Sequence, residues 1–131
     1  MTNDLKERTK RFALEVVRFC SALNSGSELR AISNQLVRSG TSTGANYRAA
    51  CRSKSKANFI NKLSIVEEEA GESEYWSELL ESLAPPKTPE RLRLKDEAHQ
   101  SVAIMIQSRK TARSSIAPAR TGDSEFVIRN S

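Results

Sequence analysis

One histidine, two cysteines and sixteen carboxylates are the residues from which this 131-residue chain would have to build a catalytic or metal site. His99 falls in the middle of a helical pattern and has no partner visible in the sequence, so a Ser-His-Asp system would rest on that single residue. The plainer reading is a solvated or partly packed side chain. A lone histidine also leaves a His-rich metal centre without ligands, and two distant cysteines do not supply a zinc site. The acids cluster as Glu67, Glu68, Glu69, Glu72, Glu74, Glu78 and Glu81. A carboxylate metal bundle needs inward acids with Glu-x-x-His pairs, and the chain contains no such pair. Three consecutive glutamates point around a helix, which favours a solvated face or contacts with bases of a neighbouring subunit. GTSTG at 40–44 lacks the following Gly-Lys-Ser/Thr and a preceding strand, so it is not a phosphate loop. The expectation is a non-enzyme with no catalytic residues, no cofactor and no metal.

The remaining chemistry is that of cations toward polyanions. Twenty-one Lys and Arg against sixteen Asp and Glu give a net charge of +5, and its distribution is segmental. Residues 1–56 hold eleven bases and four acids, residues 57–83 one and seven, residues 84–113 seven and three. Segments of opposite sign make a two-faced particle or complementary subunit contacts. Arg48, Arg52, Lys54 and Lys56 form the densest cluster, and Lys10 and Arg11 add a second. These six are the candidate nucleic-acid-binding residues. An ordinary solvated helix end, whose bases complement the dipole, explains the cluster about as well in a single chain. An aromatic content of 5% offers few stacking platforms. Binding would therefore run through phosphates, with little sequence selectivity.

Positioning these residues falls to helices. Leu5, Thr9, Phe12, Ala13, Val16, Val17, Cys20 and Leu23 recur at three- and four-residue steps, predicting a first helix over about residues 4–23. Asn24, Ser25 and Gly26 break it, and Ser25 with Glu28 reads as a capping box for a second helix. Its inward face is Leu29, Ile32, Leu36, Gly40, Thr43, Tyr47 and Ala50. Periodicity alone leaves Ser39 to Gly44 open between loop and helix, since each glycine costs about 1 kcal/mol in a helix. The four-residue spacing of Gly40 and Gly44 favours a helix, with both on one face where a neighbour approaches closely. Ser55 caps a third helix reaching Leu83, with Phe59, Leu63, Val66, Ala70, Ser73, Trp76, Leu80 and Leu83 as its stripe. Thr88, Pro89 and Glu90 restart the chain as a fourth helix using Leu94, Ala98, Val102, Met105, Ile106 and Ala112.

No segment reads as a strand. The fold class is all-α, an up-down-up-down four-helix bundle over residues 1–113, and residues 114–131 lack a sustained apolar period and are expected to be a flexible, disordered tail. In that topology Cys20 and Cys51 are offset by roughly 30 Å along the axes. A disulfide needs Cα atoms within about 7 Å, so buried free thiols are expected. No apolar run approaches the roughly 20 residues of a membrane span, and MTNDLKERTK lacks a signal-peptide centre, which predicts a cytoplasmic protein without membrane association.

RTKRFALEVV, QLVRSGTSTGANYRAA, KANFINKLSIVEEEAGESEYWSELL and EAH resemble the bacterial four-helix-bundle proteins encoded by intervening sequences of 23S ribosomal RNA genes. That family includes the accessory variability determinant proteins of diversity-generating retroelements. The resemblance covers roughly residues 5–113, and RSGTS-x-GANY and YW-x-ELL are its most specific patterns. It implies a homopentamer, helical backbone through GTSTG, and nucleic-acid binding through basic surfaces, in retroelement members beside a reverse transcriptase. Arg48 stands in the motif and Arg52 just after it. Thr43, Ala49 and Asn61 depart from the residues common at those positions, and the missing acid at Ala49 raises local positive charge. Five copies would carry +25 in formal charge, which shifts the balance for the cations toward phosphate binding.

Overall fold

The computed structural model describes residues 4–23, 26–83 and 89–114. Within them four helices follow one another: α1 Leu5–Ala22, α2 Ser27–Cys51, α3 Lys56–Leu83 and α4 Pro89–Ser114. Each helix packs on the next, and α1 closes on α4 through a smaller contact, leaving α1 and α3 at diagonal corners. The architecture is the all-α up-down-up-down bundle that the periodicity predicts, with no strand among the described residues. No helix among them is long and apolar enough to cross a membrane.

Local chemistry sets the helix ends. Asp4 caps α1, its carboxylate accepting the Lys6 amide at 3.0 Å. The N-cap of α2 is Gly26, which offers no side-chain bond, so the helix starts one residue later than a Ser25 cap would place it. Ser25 lies outside the described residues, as do Thr88 and the tail from 115. Ser55 Oγ accepts the Asn58 amide at 3.1 Å and its carbonyl the Phe59 amide at 3.0 Å, capping α3 as expected. Pro89 takes the first position of α4, where its missing amide hydrogen costs nothing.

α2 runs unbroken through GTSTG. Thr41 and Thr43 turn their hydroxyls back onto the carbonyls of Val37 and Ser39, at 2.8 and 2.9 Å, so these poor helix formers satisfy themselves within the helix. The glycines face α1. A Cβ on Gly40 would stand 3.2 Å from both Val16 methyls, and one on Gly44 3.2 Å from Thr9 Oγ1 and 3.4 Å from the Thr9 carbonyl oxygen. Larger residues would hold α1 and α2 apart.

The core has two halves. Leu5, Tyr47, Ala50, Phe59, Ile60, Leu63, Val66, Met105 and Ala112 gather at one end. Phe12, Val16, Leu36, Leu80, Leu94 and Ala98 fill the other, where Phe19, Leu29, Ile32 and Trp76 are partly buried against them. Leu83, predicted inward, is 54% exposed at the last residue of α3. Arg91 goes the opposite way and is buried, donating to the Leu80 carbonyl at 3.4 Å with its guanidinium 5.9 Å from the Phe19 ring. The cysteines are free and only half-buried, which corrects the expectation of buried thiols. Even so, burial pushes the Cys20 thiol up to about 11.

Candidate nucleic-acid interface

Up-down topology brings the start of α1, the end of α2, the start of α3 and the end of α4 to one pole. The core half there joins all four segments through Leu5, Tyr47, Phe59 and Ala112, and Arg48 Nη2 donates to the Lys6 carbonyl at 3.4 Å. Residues 4–8, 48–62 and 109–114 together hold ten bases and two acids, Asp4 and Glu7. All other described residues hold eight bases and twelve acids. The molecule is thus electrically polar along its axis, which the linear charge segments do not reveal. Lys110 and Arg113 on α4 reach this pole only through the fold, and the sequence candidates missed them for that reason. An antiparallel register drawn from the helix ends would have found them.

Four of the six candidates converge there. Arg48 and Arg52 end α2, Lys54 lies in the connection and Lys56 opens α3. Arg52 and Lys54 are exposed and form no salt bridge among the described residues. The α2–α3 connection also buries Ser53 Oγ without a hydrogen-bond partner among the described residues. Lys10 and Arg11 are exposed on α1 but sit a turn or more from the pole, so the structure does not bring them to the other four. The exposed Tyr75 ring is not here: it meets the partly buried Trp76 edge to face, 5.1 Å apart, on α3 well away from this pole.

The acids of α3 are largely committed within the chain. Glu67 pairs with Arg109 at 2.6 Å, Glu69 and Glu72 with Arg38, and Glu81 with Lys95 at 2.9 Å. His99 Nδ1 lies 2.9 Å from Glu74 Oε2, a partner the sequence did not offer because it sits 25 residues away on the neighbouring helix. With the His99 side chain 68% exposed, this is a surface pair outside any enclosed cavity. Glu68 and Glu78 form no salt bridge among the described residues. Among those residues no group of three His, Cys, Asp or Glu side chains converges as a metal site requires.

Residues 1–108 match the family model described as 23S rRNA-intervening sequence protein. The chain belongs to this family. A solved member of the same fold is a Bacteroides thetaiotaomicron protein described as of unknown function, from the S23 ribosomal protein family. It is 32% identical, superposes with a TM-score of 0.71, and aligns over 80% of this chain and 97% of that one. No curated protein matches the chain. The names of the family and of the solved neighbour specify no enzyme.

Proposed function

We propose that the protein is a non-enzymatic, homo-oligomeric adaptor that associates with RNA or DNA through the basic pole. The observation that carries this reading is the pairing pattern. Glu67, Glu69, Glu72 and Glu81 of α3 are matched by bases of the same chain, whereas Arg52 and Lys54 at the pole have no acid partner among the described residues. Cations left in this state attract phosphates, and each phosphate neutralised releases counterions. The pole offers bases without exposed rings, so recognition runs along the backbone and tolerates sequence. Family membership supports a link to ribosomal RNA genes at the level of the family's name, and the resemblance to retroelement accessory proteins makes a reverse transcriptase a candidate partner in a cytoplasmic complex. A homopentamer, implied by that resemblance, would multiply the pole fivefold.

Measuring RNA and DNA affinity against salt tests the reading. Binding at low salt that weakens steeply with added salt, and that is lost when Arg48, Arg52, Lys54 and Lys56 become Ser, is expected. Absence of binding at low salt, or indifference to those substitutions, would sink it. A second reading, a protein-interaction module with no nucleic-acid ligand, is favoured by Tyr75 and Leu83, which are 53% and 54% exposed. Nuclease treatment before pull-down separates the two, because a direct protein contact survives it.

A further inference from the structure

The seam between α1 and α4 is the open side of the bundle, since every other pair of neighbouring helices packs more extensively. Along it run two hollows of about 560 and 540 Å³ that share Glu15 and Arg93 and so form one groove. The first starts at the basic pole, with Asp4, Leu5, Glu7 and Arg8 around its edge and the buried Phe12 beneath. The second reaches toward the other end of the bundle, where Phe19, Ala22, Leu23 and Leu94 make its walls apolar. Phe19 and Leu23 are only partly buried there, so the far hollow presents apolar surface to solvent.

The groove also carries charge that the bundle does not use. Arg8 pairs with Glu97 and Arg93 with Glu15 across the seam. Glu7 and Arg11 in the first hollow, and Arg18 and Glu90 in the second, are exposed and form no salt bridge among the described residues. Residues 115–131 leave the end of α4 at the pole, where the groove begins, and lie beyond the family match that stops at 108. Their charged residues come in the order Arg120, Asp123, Glu125, Arg129, with Phe126, Val127 and Ile128 as one apolar triplet between the last two. Base, acid, acid, base in this segment complements acid and base in the first hollow, base and acid in the second.

We propose that residues 120–129 bind in cis, extended along the α1–α4 groove of their own molecule, with Phe126 and Ile128 filling the apolar far hollow against Phe19 and Leu23. Arg120 then meets Glu7, Asp123 and Glu125 meet Arg11 and Arg18, and Arg129 meets Glu90. Chain length permits this. Six residues beyond Ser114 reach up to about 20 Å, enough to turn back from the end of α4 to Glu7. Eight extended steps from Arg120 to Ile128 cover about 26 Å, against about 24 Å for the sixteen helical steps from Glu7 to Leu23. In an extended chain Phe126 and Ile128 share one side and Asp123 and Glu125 take the other. The apolar side chains thus enter the groove while the acids stay at its rim, within reach of the long arginines. Tethering holds the segment at an effective concentration in the millimolar range, which a separate ligand for the groove must overcome. The docked segment closes the open side of the bundle and gives Arg11 a carboxylate partner in place of phosphate. The inference is independent of the nucleic-acid function proposed above.

Photocross-linking in the full chain tests it. Phe126 is replaced by benzoylphenylalanine, and isotope-labelled and unlabelled copies are mixed before irradiation so that mass spectrometry tells links within one chain from links between two. Cross-links to residues 18–23 of α1 or 89–94 of α4, within one chain, are expected. Arg11→Glu with Arg18→Glu, both at exposed positions, should lower their yield at least about fivefold, and adding Asp123→Arg with Glu125→Arg should restore it. Circular dichroism checks that each variant keeps its helices. Absent or scattered cross-links overturn the inference, as does a yield that ignores the charge reversal or is not restored by the compensating one. Links that join labelled to unlabelled chains overturn it too, by assigning the groove to the tail of a second copy.

Discussion

Gly44 and Gly71 are both helical glycines, yet they do opposite things. A Cβ on Gly71 would meet nothing within 4 Å, so Gly71→Ala should gain up to about 1 kcal/mol of helix propensity. At Gly44 the same atom meets the backbone of α1 at Thr9, and the added methyl groups of Gly44→Val should cost about 2–3 kcal/mol through overpacking. Urea unfolding of the two variants should therefore move the midpoint in opposite directions. Cys20 gives a second test at this scale. An ordinary thiol here ionises near 9.0, and burial pushes this one up to about 11. Between those values the unfolded chain loses its proton and the native chain keeps it. The thiol's contribution is complete below pH 9 and lost as pH rises through 11. Cys20→Ala should flatten that alkaline decline, and iodoacetamide at pH 8 should label Cys20 roughly a hundredfold more slowly than an unperturbed thiol.

Between elements, the α2–α3 seam holds a buried hydroxyl pair, Ser39 Oγ and Ser73 Oγ 2.8 Å apart, both shielded from solvent. Ser73→Ala leaves Ser39 Oγ with only the Leu36 carbonyl at 3.4 Å, and should cost about 1–2 kcal/mol. Adding Ser39→Ala should cost less than it does alone, a coupling that a double-mutant cycle of unfolding energies reads directly. This seam also marks how far sequence reasoning reaches. Period-3.6 apolar spacing placed all four helices, because each buries one stripe against its neighbours. The helical course of GTSTG needed the resemblance, since propensity argues against it and what decides it is the approach of Val16 and Thr9 from another helix. Ser77, Ser101 and Arg91 were missed as inward residues for a related reason. A serine is small enough to fill a close helix contact, and an arginine can cover apolar rings with its stem, but hydropathy scores both as surface.

Across the whole molecule, what matters is how topology redistributes charge that the sequence presents in blocks. The block Arg48 to Lys56 was legible as a cationic cluster, whereas its union with Lys110 and Arg113 and its separation from Lys10 and Arg11 follow from four antiparallel helices sharing an end. That separation yields a quantitative test of which cations meet phosphate. For duplex nucleic acid the logarithm of affinity falls against the logarithm of salt by about 0.9 for each phosphate neutralised. If Arg48, Arg52, Lys54 and Lys56 each cover one phosphate, replacing all four with Ser should reduce that slope by about 3.6 for each subunit engaged. Lys10→Ser with Arg11→Ser, a turn or more from the pole, should leave that slope unchanged. Titrations of a fixed duplex at several salt concentrations read the slope for both sets of substitutions. Equal losses of slope from the two sets of substitutions would mean that phosphate runs along the flank of α1 as well as over the pole, and that the axial polarity of the bundle does not choose where the polyanion lies.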